Sequence, residues 1–386
     1  MEKPLRVLAV DVGTGTQDIL LFESDRAIEN CFQLIMPSPT VIVAARIRRA
    51  SEDGAPVLLT GRTMGGGPSA WAARDHAQAG LPCFATPDAA RTLDDDLDAV
   101  AALGITVVGE DEIGGVEKTY GNALVHVRLR DFDSQALRTA LTAFAVDPEV
   151  DVVAVAAFDH GAAPPGYSDR RFRFDYIEQV VRARPEPNAF AYRAEAIPPD
   201  LTRLVGVAAD AAAYGQASDT PPRVFVMDTG AAAVAGALED GAIASQRDCL
   251  IANIGNFHTL AFHLREGRIL SLFEHHTGEL TQERLEGYLR DLAAGTLENE
   301  RVFAESGHGA LRLARDGASG GDGAMPFLAV TGPRRELLRG SSLRPYEAVP
   351  HGDMMLAGCF GLLRGVEALA PEFAPAIDAV LGEPRR

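Results

Sequence analysis

The chain has 386 residues and a formal net charge of −18, from 54 Asp and Glu against 36 Lys and Arg. That length suggests about two domains, each able to bury its own core, and 47% hydrophobic with 23% charged residues excludes wholesale disorder. So acidic a surface repels phosphate backbones and anionic lipid, so neither nucleic acid nor a membrane is an expected partner. Only Lys3 and Lys118 are lysines and no Gly-Lys-Ser/Thr occurs, which excludes a Walker-type phosphate loop. Cys31, Cys83, Cys249 and Cys359 lie far apart with no Cys-x-x-Cys pair, against a zinc knuckle, an iron–sulfur cluster or a disulfide framework. The charged start does not read as a signal peptide, and no apolar run reaches about 18 residues. A reduced, cytoplasmic protein is expected.

In chain order, Leu5 to Val10 reads as a strand, Asp11-Val-Gly-Thr-Gly-Thr16 as a tight turn and Ile19 to Phe22 as a second strand. A third strand is expected over Cys31 to Ile35. From about 37 to 130 the texture changes: Thr63-Met-Gly-Gly-Gly-Pro68, the acidic stretch Asp94 to Asp98 and a strand from Ile105 to Val108 suggest an insertion with its own elements. A helix over Ser134 to Phe144 leads into the apolar strand Val152 to Phe158, which ends in Asp159-His160-Gly161. Helices follow over Arg171 to Arg184 and Pro199 to Tyr214, then a strand over Val224 to Met227 and a small-residue helix over Ala231 to Leu238. The opening theme then repeats as strand Leu250 to Ile254, turn Gly255-Asn256, and strands Thr259 to Leu264 and Arg268 to Glu274. A helix over Gln282 to Ala293, a strand over Phe327 to Val330 and a last helix over Gly352 to Leu369 complete the pattern. Coexisting hairpins and strand–helix–strand units imply an α/β fold with mixed sheets, and the repeat places both turns at one cleft.

Gly13 and Gly15 free the first turn's backbone to approach phosphate oxygens, Thr14 and Thr16 add hydroxyls, and Asp11 at the strand end can hold hydrated Mg²⁺. Asp159 and His160 sit where α/β proteins place ligands, with His160 able to move a proton and Asp159 to orient it. Of the histidines between 258 and 276, His258 alone is a candidate phosphate contact; no spacing among them matches a zinc site. Gly65 to Gly67 and Ser306-Gly-His308-Gly309 read equally as turns or as ligand-facing loops.

Five landmarks in this order resemble the superfamily of actin, the chaperone ATPases and the sugar kinases. They are Ala9 to Thr16, Val153 to Phe158, Asp228-Thr-Gly-Ala-Ala-Ala to Leu238, Asn253-Ile-Gly-Asn-Phe-His-Thr259, and Leu328-Ala-Val-Thr331-Gly332, with Asp353 to Gly365 as a second connecting helix. The chain further resembles the family labelled "putative pyruvate formate-lyase activating enzyme". The resemblance implies a two-lobed actin-like, duplicated ribonuclease H-like fold with an insertion in the first lobe. It implies a first lobe over 1–245, completed by 351–386, and a second lobe over 246–350. It also implies ATP and Mg²⁺ as cofactors: Gly13, Thr14, Gly15, Thr16, Gly255, Asn256 and His258 on phosphates, Thr331 and Gly332 under the adenosine, and Asp11 and Asp228 at the metal. Asp159 and His160 would act on the attacking group of a small-molecule substrate. The expected activity is that of an ATPase or small-molecule kinase. Asn253, which lacks the usual carboxylate, and Phe257, in a turn meant to approach phosphate, keep open a non-catalytic protein that senses a metabolite or activates a partner enzyme. A carboxylase-like activity would instead place a metal between the lobes. The label's radical chemistry needs closely spaced cysteines, which the sequence lacks.

Overall fold

The computed structural model describes residues 3–215, 220–313 and 325–383. The ends of the expected first lobe and a stretch of the expected second lobe therefore lie outside the described residues. The first sheet is built from β1 (Arg6–Val12), β2 (Thr16–Glu23), β3 (Phe32–Pro37), β8 (Val152–Ala157), β9 (Ala191–Arg193) and β10 (Arg223–Asp228), in the order β3-β2-β1-β8-β10-β9. β1 is antiparallel to β2 and parallel to β8, which is parallel to β10. Every residue of β1 and β8 is buried, as expected of Val- and Ala-rich strands covered on both faces.

Between β3 and β8 the chain forms an all-parallel four-stranded sheet from β4 (Val57–Gly61), β5 (Cys83–Ala85), β6 (Thr106–Val107) and β7 (Val125–Leu129), ordered β6-β5-β4-β7. Helices Pro39–Glu52 and Pro68–Gln78 contribute Val43, Ile47, Ala72 and Ala73 to a core that this inserted unit has to itself.

The third sheet joins β11 (Asp248–Ile254), β12 (His258–Arg265), β13 (Arg268–His276), β14 (Gly307–Arg312), β15 (Phe327–Thr331) and β16 (Tyr346–Glu347), ordered β14-β13-β12-β11-β15-β16. The run β13-β12-β11-β15-β16 repeats β3-β2-β1-β8-β10 strand for strand, with the same two antiparallel and two parallel pairings. That duplicated ribonuclease H-like topology is the actin-like fold, with an insertion in its first lobe.

The lobes are joined through two helices, Thr229–Ala237 and Ala357–Leu369, both almost wholly buried. A Cβ on Gly236 would lie 1.6 Å from the Ala357 carbonyl oxygen, and one on Gly361 would lie 1.9 Å from that of Ala232. Backbone therefore meets backbone at the crossing, which only glycine permits. The helix expected from Gly352 starts at Ala357, because His351 and Gly352 take left-handed φ values of 49° and 82° that interrupt it, and it is not the last: a further helix follows over Ala374–Leu381. β14 was not expected from Ser306-Gly-His-Gly309. Its glycines are required by neighbours: a Cβ on Gly307 would lie 2.5 Å from Val302 and one on Gly309 2.6 Å from Phe174. Among the described residues no helix is long and apolar enough to cross a membrane.

Gly236→Ala forces the two connecting helices apart, and overpacking of this kind costs about 1–3 kcal/mol. Urea unfolding of the variant is expected to show that loss, with little change for Gly241→Ala, where a Cβ would meet open space.

Candidate functional site

The lobes enclose a cleft of about 480 Å³. Its two hairpin turns are closed by the same bond: Gly13 N donates to Thr16 O and Gly255 N to His258 O, each at 2.9 Å. Ser38 straps the first turn, its hydroxyl donating to Thr14 O at 2.6 Å and its N–H to Gly15 O at 3.1 Å. The turns face each other so closely that a Cβ on Gly15 would lie 2.9 Å from Asn256 Nδ2. Thr331 and Gly332 line the same cleft. Gly332 has φ 92°, and a Cβ there would lie 2.5 Å from Ile254 O. The Arg335 that follows is folded back, donating to Gly332 O at 3.2 Å and pairing with Glu347 at 3.0 Å.

Asp11 and Asp18 stand directly opposite across the β1–β2 hairpin and both line the cleft. Asp11 accepts from the Thr229 hydroxyl at 2.6 Å. Asp18 Oδ1 is buried with no hydrogen-bond partner. Burial pushes Asp11 up to about 7, opposed by the Thr229 bond and helped by Asp228. Burial and then Asp11 push Asp18 up to about 8, against a Thr16 hydrogen bond. Asp18 escaped the sequence reading although the hairpin carried the signal: with Gly13 paired to Thr16 across the turn, the residue opposite Asp11 is Asp18.

Turns 13–16 and 255–258, Asp11, Asp159, His160, Thr331 and Gly332 all line the cleft, whereas Asp228 does not. Asp228 caps helix Thr229–Ala237 through Ala231 N at 3.1 Å and faces Arg173 Nη2 at 2.7 Å. Arg173, from helix Asp169–Ala183, also donates to both oxygens of Glu274 on β13, at 2.9 and 3.1 Å, and to Asp159 O at 3.0 Å. All three charged side chains are 1–2% exposed. Burial works against the Arg173 charge, but Asp228 and Glu274 outweigh it and raise its pKa.

The Asp159 oxygens accept from Gly161 N at 2.8 Å and Leu204 N at 2.9 Å, so both are committed to backbone. His160 is solvent-accessible within the cleft, edge-on to Phe158 at 5.2 Å between centroids. The protein packed round it, followed by Arg173 and Arg203, pulls its pKa down to about 4. Phe257 does not fill the phosphate turn. It reaches to the inserted unit, where a Cβ on Gly67 would lie 2.4 Å from its ring, and it packs on Trp71 at 5.6 Å. Gly65 to Gly67 therefore line and cover the cleft, anchored by Gly65 N to Asp131 at 3.1 Å and by the Thr40 hydroxyl to Gly66 O at 2.6 Å.

His263 pairs with Asp248 at 2.7 Å, and His275 contacts the carbonyls of His276 and Glu305. His258, His276 and His308 instead converge, with ligating atoms within 4.8 Å of one another. From sequence His258 is a candidate phosphate contact, His308 is equally a turn or a ligand-facing residue, and no spacing points to a metal; what joins them with His276 is the strand register and β14.

A family model described as "Putative pyruvate format-lyase activating enzyme" matches residues 64–337. No curated protein matches at a significant level. Among solved structures, the ethanolamine utilization protein EutJ from Carboxydothermus hydrogenoformans is 12% identical, with 94% of this chain and 90% of that one covered and a TM-score of 0.30. Lmo2764, described as a putative N-acetylmannosamine kinase from Listeria monocytogenes, is 12% identical over 95% and 99%, with a TM-score of 0.32. A ROK family transcriptional regulator, described as a homolog of the E. coli MLC protein, is 11% identical with a TM-score of 0.24; 69% of this chain matches and spans only 38% of that one.

Because Asp18 holds its proton more tightly folded than unfolded, its contribution to stability is fully present below pH 3.8 and is lost as the pH rises through about 8. Asp18→Asn is therefore expected to gain thermal stability over the parent progressively across that window. Melting curves at pH 5 and pH 8.5 check this; an equal difference at both contradicts it.

Proposed function

The chain belongs to this family, and we propose that its cleft binds a nucleoside triphosphate with Mg²⁺ and passes the terminal phosphoryl group to water or to a small hydroxyl-bearing substrate. The observation that carries this reading is the pair of identically closed turns facing each other above Asp11 and Asp18. The residues fit the group: Gly15 keeps clear the gap between the turns, where a Cβ would lie 2.9 Å from Asn256 Nδ2, and the orphaned Asp18 Oδ1 is an oxygen that a hydrated cation satisfies. When bound, Mg²⁺ supplies neutralisation of the phosphate charge.

The chain's own residues supply position and proton handling. The Thr14 and Thr16 hydroxyls and the Gly15–Asn256 face receive phosphate oxygens, and Thr331 with Gly332 underlies the base and sugar. Asp228 acts as a clamp on Arg173 rather than at the metal. His160, held neutral, accepts the proton of the attacking hydroxyl, while Asp159 shapes the loop that presents it. The Phe257–Trp71 contact and Gly65 to Gly67 shield the cleft from water.

The radical chemistry that the family description implies needs closely spaced cysteines. Cys31, Cys83, Cys249 and Cys359 are separate buried thiols, and among the described residues none joins a cluster of ligating side chains. A second reading, a ligand sensor or activator of a partner protein, is favoured by Asn253 and by the full commitment of both Asp159 oxygens.

Calorimetry with ATP, ADP and a non-hydrolysable analogue, with and without Mg²⁺, tests the proposal. Binding is expected to tighten with Mg²⁺, and Asp11→Asn to remove about tenfold of that gain, or about 1.4 kcal/mol. Absence of binding by the folded parent protein rejects the nucleotide reading. Binding without turnover favours the sensor.

A further inference from the structure

We propose that His258, His276 and His308 form a binding site for a divalent transition-metal ion of the zinc type, set in the second lobe against the cleft. The site is independent of the nucleotide reading. His258 and His276 are direct partners across β12 and β13, and His308 comes from β14 on the far side of β13. Their ring centroids lie 5.0, 5.2 and 4.6 Å apart. Three imidazoles from three adjacent strands thus face one point.

Two features separate this cluster from simple packing of histidines. His258 Nε2 and His308 Nδ1 are buried and have no hydrogen-bond partner, and His308 is only 2% exposed. Buried ring nitrogens without partners are costly, and a metal ion satisfies them together. The surroundings also fit a cation. Phe158 stacks flat on His258 at 3.9 Å and fixes its ring. Glu274 Oε2 lies 3.9 Å from His308 Nδ1 and sets a carboxylate oxygen beside the cluster. Burial lowers the pKa of all three histidines, which keeps them in the ligating form.

Imidazole nitrogens are donors for zinc and its neighbours rather than for Mg²⁺ or Ca²⁺. Three protein ligands leave a fourth tetrahedral position for water or a substrate atom, the arrangement of catalytic rather than structural zinc. His258 belongs to both the cluster and the cleft lining, so the metal adjoins the space that holds Phe158 and His160.

The test is titration of the metal-stripped full chain with Co²⁺, followed by visible absorption and by competition with Zn²⁺. One equivalent is expected to bind, with the strong d–d bands of a four-coordinate ion, and Zn²⁺ to displace it. His276→Ala, at a half-buried position, and His308→Asn are each expected to weaken binding by at least about tenfold. His126→Ala, an exposed imidazole of the inserted unit that pairs with Thr60, is expected to leave the cobalt titration unchanged, and the titration needs no nucleotide, so failure here and failure of the nucleotide site are distinguishable. No saturable cobalt binding by the parent, or undiminished binding by a His276→Ala variant with native circular dichroism, overturns the proposal. If His308→Asn does not fold, His276→Ala and His276→Gln decide.

Discussion

The relation between the two lobes rests on one buried guanidinium. Arg173 leaves a helix of the first lobe, passes over Phe158 at 4.5 Å, and meets Asp228 from the first sheet and Glu274 from the third. In so dry a setting neither carboxylate is readily left alone: removing one partner of a buried pair costs about 3–5 kcal/mol. The same Arg173 holds the Asp159 carbonyl, so the strand end that presents His160 depends on a residue in the other lobe being in place. Arg170, three residues earlier, donates to Gly307 O at 2.6 Å and adds a second tie to β14. Closure of the cleft, posture of the Phe158–Gly161 segment and position of His308 are thus parts of one arrangement.

The fold was legible because duplication is legible. Apolar runs ending in small-residue turns recur near residues 13 and 255, and small-residue helices recur near 231 and 357. Buried strands and close helix crossings demand those residue types, so composition and position speak together. Elements without such a demand were missed. β14 reads as a glycine turn because its glycines answer not only to Val302 and Asn299 just before it but to His275 and Phe174, residues distant from it in sequence.

The site was legible only along single strands. The turns and Asp159-His160 are contiguous in sequence, and the structure brings them to one cleft. Arg173, Glu274 and the His258–His276 pair depend on contacts between elements. For His258 the obstacle is specific. The β12–β13 hairpin runs in register from Arg265↔Arg268 through Leu264↔Ile269, and then slips by one residue at His263. Without that bulge His275 would stand opposite His258; with it, His276 does. A one-residue irregularity, invisible to periodicity, decides which imidazole joins the cluster.

Phe257, the residue that looked least suited to its turn, gives the molecule an unplanned optical property. Its ring rests on Trp71, the only tryptophan of the chain. One residue belongs to the third sheet's hairpin and the other to the inserted unit, so the pair spans the mouth of the cleft. Emission from a single indole, half in water and half against a phenyl ring, then reports the separation of the two bodies without any attached dye. The protein carries its own gauge of how far it is open.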